Sequence, residues 1–150
     1  MSDSQRFPVA AHTLAYLAHR KAYSREQAVS SSVLAGSIPT NPVVIRRMTT
    51  QLAKAGLVAT CSGVSGGAWL LKRPDEIRLD EVLRAVNGCA HLGSAPIGAA
   101  GCPISQAIPR AVNSAMHIAN AAASEALASV TVADLLAQVE AAIEAEREPA

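Results

Sequence analysis

The chain has 150 residues, half of them hydrophobic and 3% aromatic, with 13 Lys and Arg against 12 Asp and Glu for a net charge of +1. That length accommodates one compact domain with an appendage, and the apolar share is enough for a core. The charge balance excludes a bulk polyanion binder, so affinity for a charged partner has to come from charge gathered on one surface.

A first helix is expected to begin at Pro8, because proline suits a first helical position, and Phe7, Ala10, Ala11, Leu14, Leu17 and Ala18 form its apolar side. It should pack beneath the helix at 42. His12 and His19 lie on one side of it and are expected to face solvent or phosphate rather than a metal. Ser30, Ser31 and Ser32 supply capping hydroxyls for a short helix through Val33, Leu34 and Ala35, closed by a turn at Gly36, Ser37 and Pro39.

Asn41 then caps a second helix that has Pro42 at its first position. At about 100° per residue, Ile45, Met48, Thr49 and Leu52 share one face. Val43, Arg46, Arg47, Thr50 and Lys54 take the opposite face, with Gln51 at its edge. Gly56 suits the left-handed residue that ends a helix. A strand over 58–61 is answered by one over 68–71, joined by the turn Ser62-Gly63-Val64-Ser65-Gly66-Gly67. Cys61 reads as a small buried filler, with a switch close to DNA as the alternative, and Trp69 as a packing residue.

This layout is a helix-turn-helix followed by a wing. In such modules the second helix enters the major groove and basic side chains hold phosphates. Arg46 and Arg47 are the first candidates for base or phosphate contact, since a guanidinium fork can bond guanine O6 and N7 together. Val43 suits a thymine methyl, while Asn41, Thr50, Gln51 and Lys54 complete the face. In the wing, Ser62, Gly63, Ser65 and Gly66 offer hydroxyls and backbone N–H groups to phosphate. A cationic face on a lone helix would read as merely solvated; the flanking turn and wing reverse that reading.

Beyond the wing, Ile77 opens a short helix with Leu79, Val82, Leu83 and Val86 inward and Asp80 and Glu81 near its positive end. Periodicity is lost from 88 to 101, a long loop of a kind that is usually functional, with Cys89 and Cys102 near its ends. Residues 104–129 read as one long helix carrying Pro109 near its start. Ile108, Val112, Ala115, Ala119 and Ala122 form a stripe of small and medium residues along it, with Ile118 beside them. Little of the chain is left to cover that stripe. Pairing with a second copy is therefore expected, setting two reading helices about one DNA turn, ~34 Å, apart; an intramolecular bundle is the competing arrangement. A last helix starts at Thr131, where Thr131 and Asp134 form a capping-box-like pair and Val130 and Leu135 a staple. It continues through Leu136, Val139 and Ile143 into an acidic tail. Between Arg6 and Arg73, Glu26 is the only carboxylate, so the basic half coincides with the expected DNA-facing half.

The segments SSVLAGSI, IRRMTTQLAKAGLV and SGVSGGAWLLKRPDEIRLDEVLRAV together resemble the Rrf2 family of winged helix-turn-helix transcriptional regulators, of the IscR, NsrR and CymR type. The resemblance continues through the C-terminal helices. It implies a homodimeric regulator, a repressor, on a near-palindromic operator in double-stranded DNA, answering a cluster, thiol or metabolite signal. Family members with an iron–sulfur cluster present three closely spaced cysteines before the long helix. Here Cys89 and Cys102 stand at the outer places and Ala95 at the middle one, so with His91 the ligand set is incomplete. No cofactor is expected on that count, and the rival sensor is thiol chemistry at Cys89 and Cys102, a disulfide or reaction with an oxidant or electrophile. Many members also carry a basic residue before the wing glycines. Ser62 and Val64 stand there in this chain, which implies reduced minor-groove reading.

The fold expected is mostly α: a winged helix-turn-helix domain over 1–87, a sensor-type loop over 88–103, and a dimerisation helix with a C-terminal helix over 104–150. An enzyme is not expected, since the four histidines are scattered and no HExxH, CxxC pair or phosphate-cradling GxGxxG occurs. A non-DNA-binding interaction adaptor on the same fold is the other alternative. No apolar run reaches the ~18 to 20 residues of a membrane span and no leader pattern opens the chain, so a cytoplasmic location without membrane contact is expected.

Overall fold

A computed structural model describes residues 3–87, 93 and 95–147. In chain order the elements are α1 (Asp3–His19), α2 (Ser31–Ser37), α3 (Pro42–Lys54), β1 (Val58–Cys61), β2 (Gly67–Leu70), α4 (Leu79–Asn87), α5 (Pro103–Ala128) and α6 (Val132–Arg147), with single 3-10 turns at Arg25–Gln27 and Pro74–Glu76. The fold is the mostly helical one expected, a winged helix-turn-helix with long C-terminal helices.

The core gathers around α1. Leu14 and Leu17 pack with Leu34 of α2, Ile45, Met48 and Leu52 of α3, Val58 of β1, Ile77, Val82 of α4 and Val132 of α6, all essentially inaccessible to solvent. The helix begins at Asp3, five residues before the expected start. Pro8 lies inside it, exposed and within two turns of its end, where the missing N–H forfeits only the bond to the Ser4 carbonyl.

β1 and β2 pair antiparallel from Val58 with Leu70 to Cys61 with Gly67. The second strand therefore starts and ends one residue earlier than expected. Its outer edge is closed by Val29, whose N–H and carbonyl exchange two 2.9 Å hydrogen bonds with Ala68. That contact requires a glycine next door, because a Cβ on Gly67 would stand 2.6 Å from the Val29 carbonyl oxygen. α2 also runs further than expected, through Ser37, leaving the turn to residues 38–40.

The α4 helix starts at Leu79 rather than Ile77, because Arg78 is held in an isolated β-bridge just before it. The Leu79 N–H donates to the Val130 carbonyl and the Val132 N–H to the Ile77 carbonyl, both at 2.9 Å, so Arg78 and Thr131 face each other in an antiparallel bridge. Asp80, 7% exposed, takes forked bonds from Arg78 at 2.9 and 3.2 Å and a third from Arg84 at 2.8 Å. Burial pushes its carboxyl upward, but the Arg78 bond and the charges of Arg78 and Arg84 outweigh this and hold it below the ordinary value.

α5 extends over 26 residues, with Pro109 inside it, and none of its residues is buried. Ile104, Ile108, Val112 and Ile118 are 76, 51, 39 and 68% exposed. α6 turns back onto α1, with Val132 buried and His19 Nδ1 3.7 Å from Glu140 Oε1. Its start is capped as expected: the Thr131 hydroxyl accepts from the Asp134 N–H at 3.2 Å, and the Asp134 carboxylate accepts from the Thr131 N–H at 2.8 Å. Among the described residues no helix is long and apolar enough to cross a membrane.

Candidate nucleic-acid interface

The presentation of α3 follows from its ends and its period. Asn41 Oδ1 accepts from the Val43 N–H at 2.8 Å, fixing the first turn, and Pro42 follows the cap without loss because its position needs no donor. Ile45, Met48, Thr49 and Leu52 are buried. Val43, Arg46, Arg47, Thr50 and Lys54 are exposed and Gln51 is half-buried. The Thr49 and Thr50 hydroxyls both donate to the Arg46 carbonyl, at 3.1 and 2.8 Å, and the exposed Thr50 thereby presents its oxygen lone pairs outward as acceptors.

The charge on this face is uncompensated in the sense that matters for phosphate. Among the described residues the salt bridges involve Lys72, Arg73, Arg78, Arg84 and His19, and none involves Arg46, Arg47 or Lys54. The cations of the β2–α4 region stabilise the fold locally, whereas those of α3 remain open to an external anion.

The wing is closed by the Gly66 N–H donating to the Gly63 carbonyl at 3.0 Å. Gly63 has φ +103°, and a Cβ on Gly66 would meet the Cys61 and Gly63 carbonyl oxygens at 2.7 and 2.8 Å. Two glycines are thus required by geometry. Ser62, Val64 and Ser65 are exposed at the tip.

Between α3 and the wing runs a groove of ≈340 Å³ into which Arg46, Thr49, Thr50, Ser62, Gly63 and Gly66 project. Of the residues expected to touch DNA, the structure brings Arg46, Thr50, Ser62, Gly63 and Gly66 into this one groove. Asn41, Val43, Arg47, Gln51 and Lys54 lie elsewhere on α3, and Ser65 lines a separate cleft on the other side of the wing. The sequence reading missed Ser31 and Thr60, which also line the groove. Cys61, expected as a buried filler, is half-exposed in the groove wall, because its strand position faces the gap rather than the core.

The sensor candidates divide. Cys89 and His91 lie outside the described residues. Cys102 is exposed and caps α5, its Sγ accepting from the Ser105 N–H at 3.5 Å. The segment before it folds back along α5: the Ala95 N–H donates to Asn113 Oδ1 at 3.0 Å, the Ala99 N–H donates to Ser105 Oγ at 2.8 Å, and Gly98 rests on the Ser105 backbone. Among the described residues no three or more His, Cys, Asp or Glu converge as metal ligands. With Cys102 as the single thiol there, these residues do not by themselves fit a cluster.

Comparison with known proteins agrees with this geometry. The Rrf2 family model, described as an iron-dependent transcriptional regulator, matches residues 3–138. YwnA of Bacillus subtilis strain 168, named as an HTH-type transcriptional regulator, is 33% identical over 138 residues, which is 89% of this chain and 96% of YwnA. A crystal structure named for a transcriptional regulator from Lactobacillus plantarum superposes with a TM-score of 0.74 at 27% identity, covering 91% of this chain and 90% of that one. The oxidized form of Staphylococcus aureus CymR shares the fold, with a TM-score of 0.66 at 18% identity over 91% and 96% of the two chains.

Proposed function

The chain belongs to the Rrf2 family of transcriptional regulators, and from that premise we propose that it works as a cytoplasmic homodimeric repressor on a near-palindromic operator. The family consists of regulators, not enzymes. The observation that carries the reading is the exposed Arg46, Arg47 and Lys54 of α3, without salt bridges among the described residues, beside a glycine-closed wing. Arg46, which lines the α3–wing groove, binds a base edge or a phosphate; Arg47, Thr50, Gln51 and Val43 complete the reading face. Asn41 positions the first turn of that face through its cap. Ser62, Gly63, Ser65 and Gly66 hold phosphate from the wing through hydroxyls and N–H groups.

Dimerisation through α5 is favoured by its length and by the absence of any buried residue along it. For the signal we favour a thiol route through Cys102, exposed at the start of that same helix, with Cys89 as its partner. No step is routed through a cluster.

The test is binding of the full chain to an operator selected from a random duplex pool, at about 50 and 200 mM salt. A duplex binder loses affinity steeply over that interval because counterions are released. Arg46→Ala or Arg47→Ala should cost about 1 to 3 kcal/mol and loosen specificity at the base it reads. Absence of duplex binding at either salt leaves the adaptor reading, and full binding by both variants removes the assigned face.

A further inference from the structure

The wing turn lies between two arginine-lined clefts, and only the arginine of the α3-side cleft is assigned to DNA above. On the α3 side is the groove holding Arg46. On the other side a cleft of ≈580 Å³ runs between the 3-10 turn at Arg25–Gln27 and the wing tip, lined by Arg20, Arg25, Glu26, Val64, Ser65 and Gly66. Val29 and Gly66 belong to the walls of both, so the two clefts adjoin around the base of the wing.

We propose that Arg20 and Arg25 hold a backbone phosphate of the DNA flanking the operator half-site, on the far side of the wing from Arg46. This rests on the regulator reading and extends it to a contact that carries no sequence information.

Three observations support it. The wing turn, Ser62 to Gly67, contains no cation of its own, and the positive charges that share a cleft with Ser65 are these two arginines. Arg20 is already braced for contact: its Nη1 donates to the Tyr16 hydroxyl at 3.2 Å and its Cζ stands 5.9 Å from the Tyr16 ring centroid. A guanidinium held on an aromatic ring loses less rotamer freedom on binding than a free one, and it keeps other N–H donors for phosphate oxygens. Neither arginine forms a salt bridge among the described residues. The one carboxylate in the cleft, Glu26, is held below its ordinary value by its own backbone N–H, the Ser24 side chain and the charge of Arg25, and two guanidiniums against one carboxylate leave the cleft positive. The geometry is therefore suited to a single anionic strand passing the wing, with Ser65 and the Gly66 backbone on one wall and the arginines on the other.

The experiment measures affinity of the full-length parent, Arg20→Ala, Arg25→Ala and the double variant against salt on two probes. One is the selected operator trimmed at its outer edge; the other carries about five more base pairs, roughly half a turn, on each side. The parent should bind the longer probe more tightly. Because one phosphate is held in each of two half-sites, the double variant should shallow the log–log salt slope by about 1.8, worth ~12-fold between 50 and 200 mM, and each single alanine by part of that, equally on cognate and scrambled duplexes. In the double variant the gain from the flanks should vanish, and Arg20→Lys should restore the slope. Both arginines are exposed, and an unchanged circular dichroism melt certifies the fold. A parent-like slope and flank gain in the double variant overturns this inference and leaves the operator reading intact. Failure of the parent to bind either probe overturns the operator reading itself, and this inference with it.

Discussion

Replacing Ala119 by Glu tests the pairing of α5 at the point where it should matter most. At about 100° per residue, Ala115 and Ala119 point within roughly 20° of the direction of Ile108, at the middle of the stripe that also holds Val112. Ala119 is exposed and α5 has no buried residue, and Glu is nearly as good a helix former as Ala, so the isolated chain should fold unchanged. In a two-fold pair the substitution occurs twice. It brings two carboxylates toward an interface walled by alkyl side chains, where desolvation costs several kcal/mol per ion unless the side chain escapes to the rim. Allowing for that escape, the dimer should weaken by about 2 to 4 kcal/mol, or roughly 30- to 1000-fold in its dissociation constant. Sedimentation velocity over a concentration series reads this directly, and operator binding should fall in parallel, since each half-site would be held by a separate protomer. Ala121→Glu is the control, an exposed alanine about 160° from Ala119 around the helix. Equal dissociation constants for Ala119→Glu, Ala121→Glu and the parent would refute α5 as the interface.

Gly66→Ala forces a Cβ against two backbone oxygens at 2.7 and 2.8 Å, so the wing turn must open. A lower urea midpoint, corresponding to a loss of about 1 to 3 kcal/mol in unfolding free energy, and weaker operator binding are expected; parent-like values for both would show that the turn relaxes without consequence. Asp80 has its carboxyl held below the ordinary value, so its stabilising contribution is present above that value and is lost as pH falls through the lowered one. Asp80→Asn should therefore flatten part of the acid limb of a plot of Tm against pH below about pH 4, and an unaltered limb would show that the Arg78 and Arg84 bonds add no pH-dependent stability. Cys102→Ser keeps a capping oxygen for the Ser105 N–H while removing the thiol. If the thiols are the switch, mild oxidation should alter operator binding of the parent but not of Cys102→Ser or Cys89→Ser; identical responses in all three would exclude these cysteines.

The parts of the fold that were legible beforehand are those specified within a few residues. The two faces of α3 follow from its 3.6-residue period and from Asn41 and Pro42, and every residue assigned to its inner face is buried. The Thr131 and Asp134 cap is likewise a four-residue pattern. What escaped depends on chain segments that are remote in sequence. Val29 has no strand-like neighbourhood, and its pairing with Ala68 is visible only once Gly67 is seen to permit the approach. Ile77 looked like a helix start because its alternative partner, Val132, lies 55 residues on. Asp80 read as a helix-end carboxylate, which its position in the first turn of α4 bears out, but its burial between two arginines required the side-chain geometry. Pro8 misled because a proline near an exposed helix end costs less than a proline in a helix interior.

The backbone bridge at residues 77–79 and 130–132 ties the long helix to the reading head. α5 runs 26 residues with no buried side chain of its own, and only at Leu127 and Val130 does the chain rejoin the core. There the pair of 2.9 Å bonds between Ile77 and Val132 and between Leu79 and Val130 fixes the exit of α5 against the start of α4, while α6 is seated on α1. α4 and α1 in turn bury side chains in the same core as Ile45, Met48 and Leu52 of α3. If two copies pair through α5, neither α5 anchored this way could turn relative to its partner without carrying α3 along, because hydrogen-bonded backbone and a close-packed core are both stiffer than an exposed helix–helix contact. The separation of two reading helices would then be set by side chains on the stripe and by whatever alters the first turns of α5, where residues 95–99 and Cys102 are fastened. Breaking the bridge with Val132→Pro, which removes the N–H bonded to Ile77, should therefore loosen operator binding more than it weakens the dimer. Equal losses in the two measurements would show that the head is held to α5 by packing alone.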